Sequence, residues 1–226
     1  MQDKTLRAAR IMALVLLGVG IIGIVDGVIQ PPYWLKSVIK VVLFGAVPAV
    51  YAGCTDRELK LKALFRLSGG GRGLKEALFW GSGVFAVIVG GYLLLGGCFD
   101  FSQITGNLER AMGIGRDNFL FVALYISFCN SLLEEFFFRG FVYRNLARRK
   151  RFAYLFSAAA FSLYHVAMMI GWFHPALLIL VLAGLFVGGV IFNWLNEKLG
   201  CIYASWLTHM FANFAINTIG FLLLNG

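Results

Sequence analysis

Long apolar segments separated by short polar ones make up most of the chain. Segments long enough to cross the ~30 Å hydrocarbon core of a bilayer occur at 11–29, 36–53, 76–97, 119–140, 152–172, 176–195 and 201–224. We therefore predict an all-α, polytopic transmembrane helical bundle of about seven helices, with residues 1–226 forming a single integral membrane domain. The second segment is the weakest, because Lys36 and Lys40 interrupt its start.

The composition supports a membrane protein. Of the 226 residues, 60% are hydrophobic and 14% are charged, whereas soluble domains are about half apolar and about a quarter charged. The formal net charge of +9 is, taken alone, also compatible with a nucleic-acid-binding protein. The positions of the cations decide between these two readings.

The Lys and Arg residues are distributed unevenly between the two predicted sides. With a cytoplasmic N-terminus, 16 of the 20 fall in inside segments, and the four outside are Lys36, Lys40, Arg110 and Arg116. This bias is the positive-inside signal of a multi-pass membrane protein, so we expect the N-terminus inside and the C-terminus outside. The basic excess then serves orientation and contact with lipid headgroups, and no nucleic-acid partner is expected. A bacterial or archaeal cell membrane is the expected location.

Two adjacent carboxylates, Glu134 and Glu135, stand inside the apolar stretch 119–143. Arg139 follows Glu135 by four residues, so the two share a helix face and are predicted to form an ion pair. Glu134 is rotated by about 100° from Glu135 and lacks that partner. An ionised group at bilayer depth is by default a functional-site hypothesis. Asn130, one turn before Glu134, is explained equally well as a cavity-lining residue or as a helix–helix contact.

Two histidines lie deep within other apolar segments. At ~1.5 Å of rise per residue, Glu134 is about 21 Å from Arg148, His165 is about 21 Å from Arg151, and His209 is about 16 Å from Lys198. A carboxylate and two imidazoles on three helices are thus expected at nearly the same depth. This agreement predicts a shared polar cavity that opens toward the cytoplasm.

The residue types at this level suit hydrolysis. A carboxylate can act as a general base toward water, and imidazoles can orient that water or carry its proton. Asn213, four residues after His209 and on the same helix face, can donate to a developing oxyanion. Glu134, His165 and His209 also form a possible ligand set for a divalent metal such as Zn²⁺. No cofactor is expected, because the chain has no HExxH motif and no Cys near the cluster.

These residues, taken in order, resemble a known family. Glu134-Glu135-x-x-x-Arg139, Phe161-x-x-x-His165 and His209-x-x-x-Asn213 are similar to the motifs of the CPBP family. This family comprises the type II (glutamate) CAAX prenyl proteases and the related Abi-like bacteriocin-processing or self-immunity proteins. The resemblance covers a motif-bearing core at about 119–215, and family members often have eight helices.

The resemblance implies an intramembrane glutamate-type endopeptidase. Glu134 would activate water together with His165, while His209 and Asn213 would polarise the scissile carbonyl. The expected supporting residues are Glu135, Arg139 and Phe161. The implied partner is a membrane-associated peptide or protein, lipidated or with a sorting tail, alongside membrane lipids.

Other functions remain open for the same residues. One alternative is a catalytically inactive scaffold or immunity protein, and another is a proton-coupled transporter that uses the Glu/His cavity. The chain shows no internal repeat of the kind that many transporters have. Gly81-Ser82-Gly83 could hold a serine nucleophile, but a small-residue helix contact explains it better.

Overall fold

A computed structural model describes residues 2–55, 64–65 and 71–225, and every regular element in them is helical. The uninterrupted helices are α3 (Gly71–Leu95), α4 (Ser102–Met112), α6 (Lys150–Tyr164), α7 (Val166–Met169), α8 (Pro175–Leu199) and α9 (Tyr203–Asn225). Helix α1 (Gln2–Ile24) is extended by the π-helical turn Val25–Ile29, and α2 runs from Tyr33–Lys40 through Val41–Ala46 into Val47–Thr55. Helix α5 begins as Phe119–Tyr125 and continues through Ile126–Asn130, Ser131–Glu135, Phe136–Tyr143 and Arg144–Leu146. The predicted all-α class is confirmed.

Local sequence sets where these helices begin and end. The chain leaves α1 at Gln30, which has a left-handed φ of 46°. Pro31 and Pro32 follow, and neither has the N–H that helix continuation requires. Helix α8 begins at Pro175, where the missing N–H would be unused in any case. It ends at Gly200, whose φ of 68° closes the last turn as a left-handed C-terminal cap.

In the described part of the chain, six helices are long and apolar enough to cross a membrane: Thr5–Ile29, Tyr33–Cys54, Gly71–Cys98, Phe119–Met169, Pro175–Leu199 and Tyr203–Asn225. Phe119–Met169 would be about 77 Å long if it were straight, far more than one crossing needs. It turns back through a 3₁₀ turn at Ala147–Arg149. Ser157 of α6 therefore donates a 2.9 Å hydrogen bond to the carbonyl of Phe138 on α5. The six helices thus overlap all seven predicted apolar segments, two of which fall in Phe119–Met169.

An aromatic core joins α2, α5, α6 and α8. Phe44 of α2 stacks on Phe137 of α5, with ring centroids 4.2 Å apart. Phe138 meets Phe161 of α6 edge to face at 5.4 Å, and Phe161 meets Phe192 of α8 at 6.3 Å. Offset and edge-to-face ring pairs are favourable beyond the area they bury. This packing sets the positions from which α5 and α6 present their polar side chains.

Helix α9 packs closely against α3 at a glycine. A Cβ added at Gly81 would lie 2.6 Å from Cδ2 of Phe211, whereas a Cβ added at Gly83 would meet nothing within 4 Å. The close approach requires a residue without a side chain at Gly81. It supports the interpretation of Gly81-Ser82-Gly83 as a helix contact.

Basic segments from different parts of the chain meet at one end of the bundle. Arg7 donates a 2.6 Å hydrogen bond to Asn145, after which α5 turns into α6. Arg144 donates a 3.1 Å bond to Asn196 near the end of α8. The N-terminal segment, the α5–α6 turn and the end of α8 therefore share one end, as the predicted topology requires. The basic residues Arg57, Lys60, Lys62 and Arg66 lie outside the described residues.

Lys36 and Lys40, which were counted with an outside segment, lie near the N-terminal end of α2. Both lie within the span Tyr33–Cys54. Lys36 is buried and forms an ion pair with Asp26 of α1, with 3.6 Å between Nζ and Oδ1. Lys40 extends toward the core, and its Nζ lies 3.4 Å from the hydroxyl of Tyr164. Lys36 is accommodated because the neighbouring helix supplies a carboxylate, and Lys40 because a neighbouring helix supplies a hydroxyl.

Candidate active site

Both glutamates lie in the short segment Ser131–Glu135 of α5, between the π-helical turns Ile126–Asn130 and Phe136–Tyr143. π-helical turns inside α-helices are frequent at functional sites. Glu134 is 1% exposed and Glu135 is 0% exposed. Because water does not solvate these carboxylates, protein groups must do so.

Glu134 is anchored through one of its two oxygens. Its Oε1 accepts hydrogen bonds from Nδ2 of Asn130, at 2.6 Å, and from the hydroxyl of Tyr164. Its Oε2 lies 3.7 Å from Nε2 of His209, which is too long for a direct hydrogen bond. Glu134 is thus held by two neutral donors, an amide and a hydroxyl, while Arg139 pairs with Glu135. Asn130 contacts the carboxylate, so it lines the site.

Glu135 contacts two groups through its Oε1. Nη1 of Arg139 lies 3.0 Å away, so the predicted ion pair is present in the structure. Nδ1 of His209 lies 3.1 Å from the same oxygen. A carboxylate only accepts hydrogen bonds, so Nδ1 of His209 must carry the proton that is shared with Glu135. In a neutral imidazole, Nε2 is then an acceptor that faces Glu134.

Arg139 is completely buried among aromatic rings and contributes the cation at the centre of the site. Its Cζ lies 4.3 Å from the ring centroid of Phe161 and 5.0 Å from that of Phe192. Its Nη2 donates a 3.4 Å hydrogen bond to the carbonyl of Gly189 on α8. Cation–π contacts of this kind stabilise a desolvated guanidinium. Phe161 thus supports Arg139 directly, and Arg139 holds Glu135.

His165 lies where α6 ends, because the regular helix stops at Tyr164 and the short helix α7 begins at Val166. Its Nδ1 lies 2.7 Å from the carbonyl oxygen of Phe161. Its ring is 4.1 Å from the ring of Tyr164. Among the described residues, His165 forms neither a hydrogen bond nor an ion pair with Glu134. The structure places it beside Tyr164, and His209 is the imidazole closest to the carboxylate.

Asn213 lies one turn beyond His209 on α9 but does not contact Glu134. Its Nδ2 donates a 3.1 Å hydrogen bond to the carbonyl of Ile126, in the first π-helical turn of α5. Asn217, one turn further, donates to the carbonyl of Ala123 at 3.3 Å and to Oγ of Ser127 at 3.1 Å. Helices α9 and α5 are antiparallel, so each turn beyond His209 moves toward the N-terminal end of α5.

The residues predicted as alternative metal ligands are engaged in other contacts in the structure. Within the described part of the chain, no group of three or more His, Cys, Asp or Glu side chains is arranged to hold a metal ion. Oε1 of Glu134 already accepts two hydrogen bonds, and Nδ1 of His165 faces a backbone carbonyl. The donors of Glu134, His165 and His209 therefore fit a hydrogen-bonded cluster, and we assign no step to a metal.

Two residues of the site, Tyr164 and Lys40, were not predicted from the sequence. Tyr164 directly precedes His165, and a tyrosine in an aromatic-rich helix carries no distinguishing signal. Lys40 did carry one, because it interrupts an apolar segment and a charged residue in a span is by default functional. Its contact with Tyr164 depends on how α2 packs against α6, which the sequence pattern does not determine.

Fold and site together define a polytopic helical membrane protein with a buried carboxylate–imidazole cluster. Residues 116–215 match the family model described as type II CAAX prenyl endopeptidase Rce1-like. This part of the chain contains every motif residue predicted for the site, so the predicted resemblance to that family is confirmed for these residues. The matched part is less than half of the 226-residue chain. No curated protein and no solved structure matches the chain.

The family match supports a general activity. A domain of this family indicates a CAAX-type intramembrane endopeptidase, that is, a hydrolase acting on peptide bonds. It also indicates a membrane-associated peptide or protein as substrate. With six apolar helices, the chain is an integral, multi-pass membrane protein.

Proposed function

We propose that the protein hydrolyses a peptide bond with a water molecule that Glu134 activates as general base. The observation that carries this proposal is the pairing of Oε2 of Glu134 with Nε2 of His209 at 3.7 Å. Both atoms are hydrogen-bond acceptors when Glu134 is ionised and His209 is neutral. Two acceptors at this separation suit one water that donates a proton to each of them.

Such a water is oriented for attack. With both of its protons donated to Glu134 and His209, the lone pairs of its oxygen are free to meet a carbonyl carbon. The contact between Glu135 and Nδ1 of His209 fixes the tautomer of a neutral imidazole, in which Nε2 is the acceptor. In this arrangement Glu135 is a positioning residue that acts through His209, and Arg139 holds Glu135 in place through their ion pair.

The chemical step balances without any other reactant. The water oxygen bonds to the carbonyl carbon, the C=O π electrons move onto oxygen, and one water proton passes to Oε2 of Glu134. As the C–N bond breaks, Glu134 returns that proton to the leaving nitrogen. We assign the oxyanion to Asn213, whose amide keeps one N–H beyond the one donated to Ile126. We assign His165 the role of a second proton acceptor at the rim of the cluster.

The proposed substrate is a membrane-associated peptide or protein that is lipidated or carries a sorting tail. Glu134 lies about 21 Å along α5 from the basic end of the bundle, which is deep in the apolar part of the molecule. A substrate held at the membrane by a lipid or an apolar tail can bring its scissile bond to that depth. The depth of Glu134 therefore supports a lipidated or membrane-held substrate.

The test replaces the basic oxygen while keeping its shape. Glu134→Gln should lower cleavage of an internally quenched, prenylated CAAX peptide in detergent by about 10²–10⁴-fold. The matched control is Glu76→Gln, which changes a carboxylate that pairs with Lys198 at 2.6 Å near the basic end and lies outside the proposed site. Cleavage by the control should stay near the wild-type rate.

Full activity of Glu134→Gln would refute the role of Glu134 as the base. If the wild-type protein cleaves neither prenylated nor unmodified peptides, the inactive-scaffold alternative gains support. The peptide pair also tests the lipid requirement, because equal cleavage of both would remove prenylation from the proposal.

A further inference from the structure

We propose that Tyr164 and Lys40 are positioning residues of the active site, which anchor Oε1 of Glu134 so that Oε2 alone serves as the basic oxygen. The proposal rests on the function proposed above and deepens it, because it assigns different roles to the two oxygens of one carboxylate. Neither residue belongs to the motifs that indicated the site, and Lys40 lies outside the matched region 116–215.

The hydrogen bonds of Glu134 are unequal. Oε1 accepts from both Asn130 and Tyr164, whereas Oε2 has no hydrogen bond from the described residues and faces His209 at 3.7 Å. Asn130 lies on α5 itself, one turn before Glu134, and Tyr164 donates from α6. Two donors from different helices hold the plane of the carboxylate. The oxygen left without a donor is the one able to take a proton from water.

Lys40 determines the direction of the Tyr164 hydroxyl. An ammonium group has donors and no acceptor, and Nζ of Lys40 lies 3.4 Å from the hydroxyl oxygen and 5.1 Å from the ring centroid of Tyr164. The hydroxyl therefore accepts from Lys40, and its own proton points to Glu134. A hydroxyl in the opposite orientation would offer a lone pair to the carboxylate and repel it.

The burial of Lys40 is otherwise unexplained. It is partly buried within the span Tyr33–Cys54, and in the described part of the chain it forms no ion pair with a carboxylate. Lys36, one turn earlier on α2, is neutralised by Asp26. An intramembrane lysine is costly and is expected to pair with a functional group. Lys40 contacts the hydroxyl of Tyr164, and this hydroxyl donates to Glu134, so the hydrogen bonds of Lys40 lead to the charge of Glu134.

The test separates positioning from folding. Tyr164→Phe and Lys40→Met should each lower kcat for the prenylated, quenched CAAX peptide by about 10–100-fold, as for a misplaced catalytic group, while KM stays nearly constant. Lys40→Arg keeps the cation and the donor and should restore most of kcat. The matched controls are Tyr51→Phe, whose buried hydroxyl has no hydrogen-bond partner among the described residues, and Lys36→Met, which removes a lysine one turn away. The controls are expected to change the yield of folded protein but not kcat per folded molecule.

A second measurement does not depend on cleavage. The infrared difference spectrum between wild type and Glu134→Gln isolates the carboxylate band of Glu134. Tyr164→Phe and Lys40→Met should shift this band, and Lys40→Arg and both controls should not. An unshifted band, or wild-type kcat in folded Tyr164→Phe, would overturn the anchoring proposal. Activity that persists in Glu134→Gln would instead overturn the proposed function, so the two failures are distinguishable.

Discussion

The ion pair of Glu135 and Arg139 offers the sharpest test of how this site is held together. Both side chains are 0% exposed, and 3.0 Å separates Oε1 from Nη1. Glu135→Gln removes the anion that pairs with the buried guanidinium, which keeps its contacts with aromatic rings and the carbonyl of Gly189. Breaking a buried pair by removing one partner typically costs about 3–5 kcal/mol. For a chain of this size, that loss corresponds to a decrease in Tm of about 6–20 °C.

The double variant Glu135→Gln/Arg139→Met isolates the pairwise contribution. It removes both charges at once, so its loss of stability should be smaller than the sum of the two single losses, because no uncompensated charge remains. The measurement is thermal unfolding of the purified protein in detergent, followed by tryptophan fluorescence. The control is Glu197→Gln, which removes the carboxylate of an exposed pair with Lys150 and should change Tm far less.

Two results would refute this reasoning. The first is a Glu135→Gln protein that melts with the wild type, which would mean that Arg139 is solvated without its partner. The second is a double variant whose loss equals the sum of the single losses, which would mean that the two groups do not interact. Glu135→Gln should also lower the cleavage rate, because Nδ1 of His209 would then face an amide able to donate or accept and lose its fixed tautomer.

Four further predictions address the rest of the structure. Asn213→Ala should lower kcat by about 10²–10³-fold, because the amide of Asn213 is proposed to donate to the oxyanion. Asn217→Ala loses a comparable hydrogen bond one turn away and should affect only stability. Equal kcat values in the two variants would show that Asn213 takes no part in the chemistry. Gly189→Ala should be about 1–3 kcal/mol less stable in thermal unfolding than Gly188→Ala. The Cβ added at Gly189 would lie 3.0 Å from Cα of Ala158 and 3.3 Å from Nη2 of Arg139, whereas a Cβ at Gly188 would meet nothing within 4 Å. Equal stability of the two variants would contradict the close packing of α8 on α6. Cleavage should survive extensive dialysis against a strong chelator, and loss of activity that Zn²⁺ restores would instead make Glu134, His165 and His209 metal ligands. A reporter fused after Gly226 should lie outside the cytoplasm, and a cytoplasmic reporter would reverse the predicted topology.

Much of the fold follows from patterns that act along one helix or one segment. The predicted segments 11–29 and 36–53 correspond to Thr5–Ile29 and Tyr33–Cys54, because length and hydropathy are local properties. The two segments within Phe119–Met169 were also separable, because the run of basic residues between them marks the turn. The pair of Glu135 and Arg139 follows from four-residue spacing on one helix.

The contacts of the site itself depend on how helices rotate and slide against one another. The four-residue spacing predicts that His209 and Asn213 share a face of α9. It does not predict that His209 contacts both glutamates while Asn213 donates to the carbonyl of Ile126. A one-turn shift between antiparallel helices would exchange these partners without altering the hydropathy of any segment.

The amino-acid sequence by itself determined the class of the protein, the segments long and apolar enough to cross a membrane, and most of the residue types that meet in the site. Only the tertiary structure decided which atoms touch: Oε1 of Glu134 with Tyr164, Nδ1 of His209 with Glu135, and Lys40 with the hydroxyl of Tyr164. The physical reason is that the hydropathy and the helical periodicity of a segment depend only on residues close together in the sequence. The rotation and depth of each helix are set by packing between residues distant in sequence, such as Gly81 against Phe211 and Gly189 against Ala158.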